Sequence, residues 1–111
     1  MSIEITTAPG TWVVRAGGAV LGESARALEL REDGHDPVIY FPREDIAMTF
    51  LDRTDRTTSC PKKGEANYFS IVTHNTTFEN AAWTYEAPKE AVAQIAGHLA
   101  FYTDRITVER V

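Results

Sequence analysis

The sequence predicts a mostly β fold of the α+β class with a single late helix, and three patterns predict it. Two extended segments flank Gly17-Gly18, a pair that reaches positive φ without steric cost and suits a two-residue hairpin turn. Residues 68–73 and 78–85 face each other across a polar connection, which predicts a second, longer hairpin. From Pro88 onward, apolar residues recur at spacings of three, four and three, which favours one helical face packed on the sheet. These residues are Val92, Ile95, Leu99 and Tyr102.

The segment between the two hairpins contains shorter elements. Weak alternation over residues 25–30 predicts a third strand with poorly defined ends. Residues 38–41 are β-branched or aromatic and predict a strand, which Pro42 ends because proline cannot donate to a ladder of hydrogen bonds. The chain must then change direction at Pro42.

Four further segments complete the predicted order of elements. Residues 43–45 follow a proline and predict one turn of helix, after which residues 48–51 return to extended structure. The polar stretch 52–58 has the composition of a loop. Alternation over residues 106–110 predicts a last strand, for about eight strands in total.

Length and composition limit the class of protein. A chain of 111 residues has the size of one domain, so we expect residues 1–111 to form a single unit. With 43% apolar and 24% charged residues, the chain should fold around a modest core. The net charge of −5 argues against nucleic acid as a partner, because phosphate backbones are bound by clustered Lys and Arg.

Cysteine content and hydropathy indicate the compartment. Cys60 is the only cysteine, so no internal disulfide can form, which is typical of a reducing environment. The first residues carry neither a basic region nor a long apolar run, and no window approaches the length of a membrane span. We therefore expect a cytoplasmic protein that makes no contact with membranes.

The segment Cys60-Pro61-Lys62-Lys63-Gly64 gathers the only thiol, two cations and a turn. Ammonium groups near a thiol favour the thiolate, so Lys62 and Lys63 could lower the pKa of Cys60 and make it a catalytic nucleophile. No histidine stands at a spacing that marks it as the partner of Cys60. A buried, inert thiol is the more common fate of a lone cysteine.

Three basic side chains are candidates for binding an anion. Lys62 and Lys63 precede a glycine, and a turn of this kind can direct backbone N–H groups at a phosphate or carboxylate. Arg43 can hold a planar anion through two parallel hydrogen bonds. Solvated lysines, and an ion pair of Arg43 with Glu44 or Asp45, are the structural alternatives.

The aromatic residues Trp12, Tyr68, Trp83 and Tyr85 suit either core packing or a pocket that stacks a ring. On an ideal strand, Trp83 and Tyr85 share one face. No cofactor is indicated. The residues Glu44, Asp45, Glu65 and His98 have no spacing that is diagnostic of metal ligands, so no metal site is predicted.

Four separated segments together resemble the bacterial domain of unknown function 427 family. They are residues 41–46, 60–64, 81–85 and 95–102, and their order and spacing also fit from about Trp12 to Arg105. Two positions depart from the family pattern. Lys62 stands where the family typically has an aromatic residue, and His98 where it typically has tyrosine.

The resemblance implies a β-tent-like fold, a small barrel of coiled antiparallel β-sheets shared with methionine sulfoxide reductase B and the thalidomide-binding domain of cereblon. Relatives in that architecture often bind zinc through four cysteines, which this chain lacks. The family also carries a nucleotidyltransferase-like label. No Gly-Ser motif followed by paired metal-binding carboxylates supports that activity here.

These observations lead to three hypotheses. The first is a binding module whose pocket lies between the second hairpin and the turns at Pro42 and Cys60. Trp83 and Tyr68 would stack on a small anionic or ring-containing ligand, such as a nucleotide-like compound or a metabolite, while Arg43 and Lys62 or Lys63 pair with its charge. The second is an enzyme that uses the thiol as nucleophile or redox centre, and the third is an interaction domain without a pocket. The edge strands of a small β protein also favour a homodimer.

Overall fold

The computed structural model describes residues 2–111, and Met1 lies outside the described part. Within this range the chain forms ten strands and three short 3₁₀ helices. The strands are β1 (Ile3–Thr7), β2 (Trp12–Ala16), β3 (Ala19–Ser24), β4 (Leu28–Glu32), β5 (Val38–Tyr40), β6 (Leu51–Cys60), β7 (Gly64–Val72), β8 (Thr77–Thr84), β9 (Leu99–Phe101) and β10 (Thr107–Arg110). The 3₁₀ helices are Arg43–Asp45, Met48–Phe50 and Glu90–Ile95.

The strands pair antiparallel in three sheets. The first sheet has the order β1-β4-β5, the second β10-β2-β3 and the third β6-β7-β8-β9. A pair of backbone hydrogen bonds between Phe41 and Leu99 joins the end of β5 to β9, and so connects the first sheet to the third. The mostly β prediction is confirmed, as are the hairpins β2–β3 and β7–β8.

The predicted C-terminal helix is wrong. Residues Glu90–Ile95 form a 3₁₀ helix that is interrupted by non-helical angles at Val92, with φ −124° and ψ 27°. Gly97 then adopts φ +73°, a left-handed conformation that suits glycine, and the chain enters strand β9. The spacing of three between Val92 and Ile95 is the repeat of a 3₁₀ helix. Leu99 continues the apolar pattern because β9 is buried on both faces.

Two other predicted elements also differ from the structure. The polar segment 52–58 is part of the ten-residue strand β6, not a loop. Because β6 lies at the edge of its sheet with most side chains exposed, it shows no apolar alternation. Met48–Phe50 is a 3₁₀ helix where extended structure was expected, and the strand β1 was not anticipated.

In the third sheet, β6 and β8 both break register against β7. Five residues of β6, from Arg53 to Thr57, lie opposite only three of β7, from Asn67 to Phe69. On the other side of β7, β8 breaks register in the same way near Asn80, which has φ 49°. The side chain of Asn80 accepts a hydrogen bond of 2.6 Å from Thr54 Oγ1, and its backbone N–H donates to Ser70 Oγ at 3.1 Å. Bulges of this kind bend and twist a sheet.

Buried apolar residues form two clusters. The larger one fills the space between the second and third sheets and includes Val14, Phe69, Ile71 and Phe101. The smaller one is rich in tyrosine and lies between the first sheet and strands β7 to β9. Among residues 2–111, no helix is long and apolar enough to cross a membrane.

Candidate functional site

A cavity of about 240 Å³ opens beside the smaller cluster, and five aromatic side chains line it. We call it the tyrosine pocket. The aromatic residues come from the first and third sheets, either within strands or just beyond their ends. They are Tyr40, Tyr68, Trp83, Tyr85 and Tyr102.

Strand register brings these rings together. Tyr68 on β7 lies directly opposite Trp83 on β8, and such pairs place side chains on the same face of a sheet. The ring centroids of Trp83 and Tyr102 are 4.6 Å apart. Tyr102 also stacks on Tyr68 at 6.4 Å, and Tyr40 meets Trp83 edge to face at 6.4 Å. The pocket wall is therefore a continuous aromatic surface.

Hydrogen bonds fix the orientation of several rings. The hydroxyl of Tyr68 lies 2.9 Å from Thr58 Oγ1 and 3.3 Å from the hydroxyl of Tyr102. Trp83 Nε1 donates to the hydroxyl of Tyr40 at 3.4 Å. The pocket is thus shaped before any ligand enters.

The two stacked phenols differ in acidity. Burial opposes ionisation of Tyr68, but hydrogen bonds to Thr58 and Tyr102, together with the Arg56 guanidinium 4.9 Å from the ring centroid, lower its pKa below the usual value. Burial and the hydrogen bond to Tyr68 raise the pKa of Tyr102 to about 12. Tyr68 is therefore the more acidic phenol of the pair.

The carboxylate of Glu32 and the ammonium group of Lys63 form the polar end of the pocket, and Lys62 contacts the same carboxylate from outside it. Lys63 Nζ donates to Glu32 Oε1 at 3.0 Å, and Lys62 Nζ lies 3.5 Å from Glu32 Oε2. The side chains of Glu32 and Lys63 are only 11% and 12% exposed. The hydrogen bond from Lys63 lowers the pKa of Glu32, so the carboxylate is ionised at neutral pH. Glu32 on β4 is thereby tied to the turn between β6 and β7.

Cys60 lies next to this ion pair. Its Sγ is 3.6 Å from Lys63 Nζ, and the side chain is half-buried against the smaller cluster. Burial raises the pKa of the thiol, but hydrogen bonds from the backbone N–H groups of Lys62 and Lys63 and the Lys63 ammonium group outweigh it. The net pKa of Cys60 is lower than that of a free thiol.

A second cavity of about 480 Å³ adjoins the tyrosine pocket. We call it the apolar groove, because its walls are mostly apolar side chains such as Trp12, Ile39, Phe101 and Val108. Four residues line both cavities. They are Asp36, Val38, Trp83 and Tyr102.

A family model described as a domain of unknown function (DUF427) matches residues 4–111. The chain belongs to the DUF427 family. The match includes all four segments that carried the resemblance, together with every residue of the tyrosine pocket. No curated protein matches the chain.

The structure of this DUF427 domain separates the predicted site residues into groups. Lys63, Tyr68 and Trp83 line the tyrosine pocket. Cys60 lies beside Lys63, while Lys62 contacts Glu32 but lines a different hollow, with Ile3, Ala91 and Val92.

Arg43 lies in a third hollow of about 370 Å³, with Glu86 and His98, and does not meet Cys60 or Trp83. Its Nη2 is 3.5 Å from Glu86 Oε2, and its guanidinium group lies over the ring of Phe69. The ion pair expected with Glu44 or Asp45 is therefore replaced by one with Glu86. Both of those carboxylates contact Arg26 instead.

The residues of the DUF427 pocket that sequence reasoning missed include Tyr40, Glu32 and Tyr102. Tyr40 lay in the predicted strand 38–41 but was not considered for binding. Glu32 lay just beyond the poorly defined strand 25–30. Tyr102 was assigned to a helix that does not form, so its position opposite Trp83 could not be seen. The signal in the sequence for Tyr40 and Tyr102 was that each stands at the end of a short apolar segment.

Metal ligation was also considered for Glu44, Asp45, Glu65 and His98. Over residues 2–111 of this DUF427 domain, no group of three or more His, Cys, Asp or Glu side chains is arranged to hold a metal ion. His98 Nδ1 instead lies 3.2 Å from the carbonyl oxygen of Ala96.

Proposed function

We propose that this DUF427 domain binds a small ring-containing ligand in the tyrosine pocket. The observation that carries the proposal is the convergence of five aromatic side chains from two sheets on one open cavity, with a carboxylate and an ammonium group at its polar end. Small-molecule sites are commonly concave and aromatic, with few polar groups that fix orientation. A nucleotide-like compound or an aromatic metabolite has the required shape.

The charges around the pocket favour the ring over an anionic group as the main source of affinity. Among the three cations that the sequence singled out, Lys63 lines this pocket, and it already donates to Glu32. An anion would have to compete with that carboxylate. Trp83, by contrast, is only half-buried and lines the cavity, and stacking of a base-like ring on it contributes about 1–3 kcal/mol.

Tryptophan fluorescence and melting temperature, followed across nucleobases, nucleosides, nucleotides and aromatic metabolites, test this function. We expect at least one ring compound to change the emission of Trp83 and to raise the melting temperature. Trp83→Phe should weaken that ligand about five- to tenfold, because the smaller ring keeps only part of the stacking energy.

Trp12→Phe is the matched control, since Trp12 lines the apolar groove but not the tyrosine pocket. It should leave the affinity for a simple ring unchanged. A flat response across the whole panel would contradict ligand binding.

A second candidate function is an enzyme with Cys60 as nucleophile or redox centre. The specific observation in its favour is the set of donors around Sγ, namely the Lys63 ammonium group and two backbone N–H groups. Donors that stabilise a thiolate increase its population at neutral pH, and the thiolate is the reactive form.

The rate of alkylation by iodoacetamide, measured against pH, tests this second function. We expect Cys60 to react at neutral pH faster than a free thiol, and Lys63→Gln to slow the reaction severalfold by raising the pKa of the thiol. Arg31→Gln, which removes an exposed cation elsewhere on the surface, should not alter the rate. A sluggish thiol in the native protein would remove this candidate.

Three broader expectations remain part of the proposal. The three antiparallel sheets support a β-tent-like architecture, although the sheets do not close into a barrel. We propose that the domain acts in the cytoplasm and that any self-association is as a homodimer. An interaction domain without a ligand is the alternative that a flat ligand panel would favour.

A further inference from the structure

We infer that the ligand has two parts, a planar ring in the tyrosine pocket and an apolar substituent in the adjoining groove, joined through a nitrogen that donates a hydrogen bond to Asp36. The inference rests on the proposed function and specifies the chemical class of the ligand. It follows from the way the two cavities share one wall.

The shared wall makes the two cavities one continuous cleft. Trp83 and Tyr102 line both cavities, and their ring centroids are only 4.6 Å apart. A ring stacked on these side chains in the tyrosine pocket therefore lies at the border of the groove. A substituent that leaves the ring toward Val38 would enter the groove directly.

The groove is suited to an apolar group. All three sheets contribute to its walls, with Trp12 and Val108 from the second sheet, Ile39 from the first and Phe101 from the third. Its volume of about 480 Å³ is twice that of the tyrosine pocket. A concave, mostly apolar cavity of this volume falls within the range of small-molecule sites.

Asp36 determines the chemistry at the junction of the cavities. Its side chain is exposed, lines both cavities, and has no hydrogen-bond or ion-pair partner within residues 2–111. The other carboxylates of the cleft are engaged, Glu32 with Lys63 and Glu29 with Arg31. A free carboxylate only accepts hydrogen bonds, so it selects an N–H or ammonium group on the ligand.

Three purines that differ at one position test the inference by titration calorimetry. Adenine supplies the ring alone, N6-benzyladenine adds an apolar arm through an N–H group, and 6-benzylthiopurine carries the same arm through sulfur. We expect N6-benzyladenine to bind at least about tenfold tighter than adenine, because the benzyl group buries apolar area in the groove. The sulfur analogue should be severalfold weaker than N6-benzyladenine, since it cannot donate to Asp36.

Two variants locate each part of the ligand. Val108→Phe should narrow the groove and reduce the gain from the benzyl group while leaving adenine unaffected. Asp36→Ala, at an exposed position, should bring N6-benzyladenine and the sulfur analogue to equal affinity. The melting temperature without ligand shows whether each variant is folded.

The outcomes separate the two proposals. Equal affinity for adenine and N6-benzyladenine would overturn the two-part ligand and leave ring binding intact. A gain from the benzyl group that is undiminished in Val108→Phe would also overturn it. Failure of all three purines, with the broader ring panel flat as well, would overturn both proposals together.

Discussion

Glu32 holds together parts of the chain that are far apart in sequence. It lies on β4, and its carboxylate accepts a hydrogen bond of 3.0 Å from Lys63 Nζ and lies 3.5 Å from Lys62 Nζ. Both lysines belong to the turn that follows β6. The three groups are largely sheltered from solvent, so their attraction is screened less than that of a surface ion pair. The same contacts orient Lys63 toward Cys60 and define the polar end of the tyrosine pocket.

This ion pair should make stability depend on pH. Because Lys63 lowers the pKa of folded Glu32, the stabilisation is complete above the carboxyl's unfolded pKa of about 4.3 and is lost as the pH falls through the lower folded pKa. Glu32→Gln should cost about 1–2 kcal/mol at pH 7. The difference in the free energy of unfolding between Glu32→Gln and the unmodified chain should shrink in acid. Urea unfolding at several pH values measures it.

Glu23→Gln is a suitable control, because Glu23 is exposed on β3 and forms no ion pair within residues 2–111. Its effect on the free energy of unfolding should be near zero at every pH. If the loss in free energy of unfolding caused by Glu32→Gln stays constant down to pH 3, the charge of this carboxylate is not the source of stability.

Among the secondary-structure elements, the segment after Pro88 shows where sequence patterns fail. Val92, Ile95 and Leu99 are buried, as the pattern predicted. The pattern could not reveal that Gly97 takes φ +73° and divides the segment into a 3₁₀ helix and a strand. That conformation is imposed by tertiary contacts, including the hydrogen bond from Gly97 N to the carbonyl oxygen of Tyr85.

Gly97→Ala should therefore destabilise the fold by about 1 kcal/mol, because an L residue is strained at this φ even though no atom lies within 4 Å of the added methyl group. In an α-helix the same change would have stabilised the chain. Thermal or urea unfolding shows whether the substitution lowers or raises the stability.

Gly18→Ala provides the comparison. Gly18 also has open space around an added methyl group but does not adopt positive φ, so the substitution should be close to neutral. Stabilisation by Gly97→Ala would contradict the left-handed conformation.

At the scale of the whole molecule, the tyrosine pocket lies where the first and third sheets meet. Leu30 and Tyr40 approach from one sheet, and Tyr68 and Trp83 from the other. The sequence predicted the β class, both hairpins, and three of the pocket residues, namely Lys63, Tyr68 and Trp83. The pairing of distant strands cannot be read from local patterns, so the sequence could not show that Arg43 lies in a separate hollow.

A ligand in this pocket should couple the two sheets. At a concentration of one hundred times its Kd, it would stabilise the folded state by about 2.7 kcal/mol. Hydrogen exchange of amides in β4, β5, β7 and β8 should slow, by up to about 100-fold where exchange requires global unfolding. Amides at the exposed Gly17 turn should exchange as before. Slowing confined to a single sheet would argue against a pocket shared between them.

The bulged strand β6 affects how copies of this protein can associate. An exposed ten-residue edge would ordinarily offer a template on which another chain could extend the sheet. Between Arg53 and Thr57 the spacing of its backbone groups is irregular, and Thr54 is held inward by Asn80. An incoming strand could not keep continuous register along this border, so edge-to-edge extension of the sheet is disfavoured there. Strand addition between copies is favoured instead at shorter outer strands such as β1, β3 and β10.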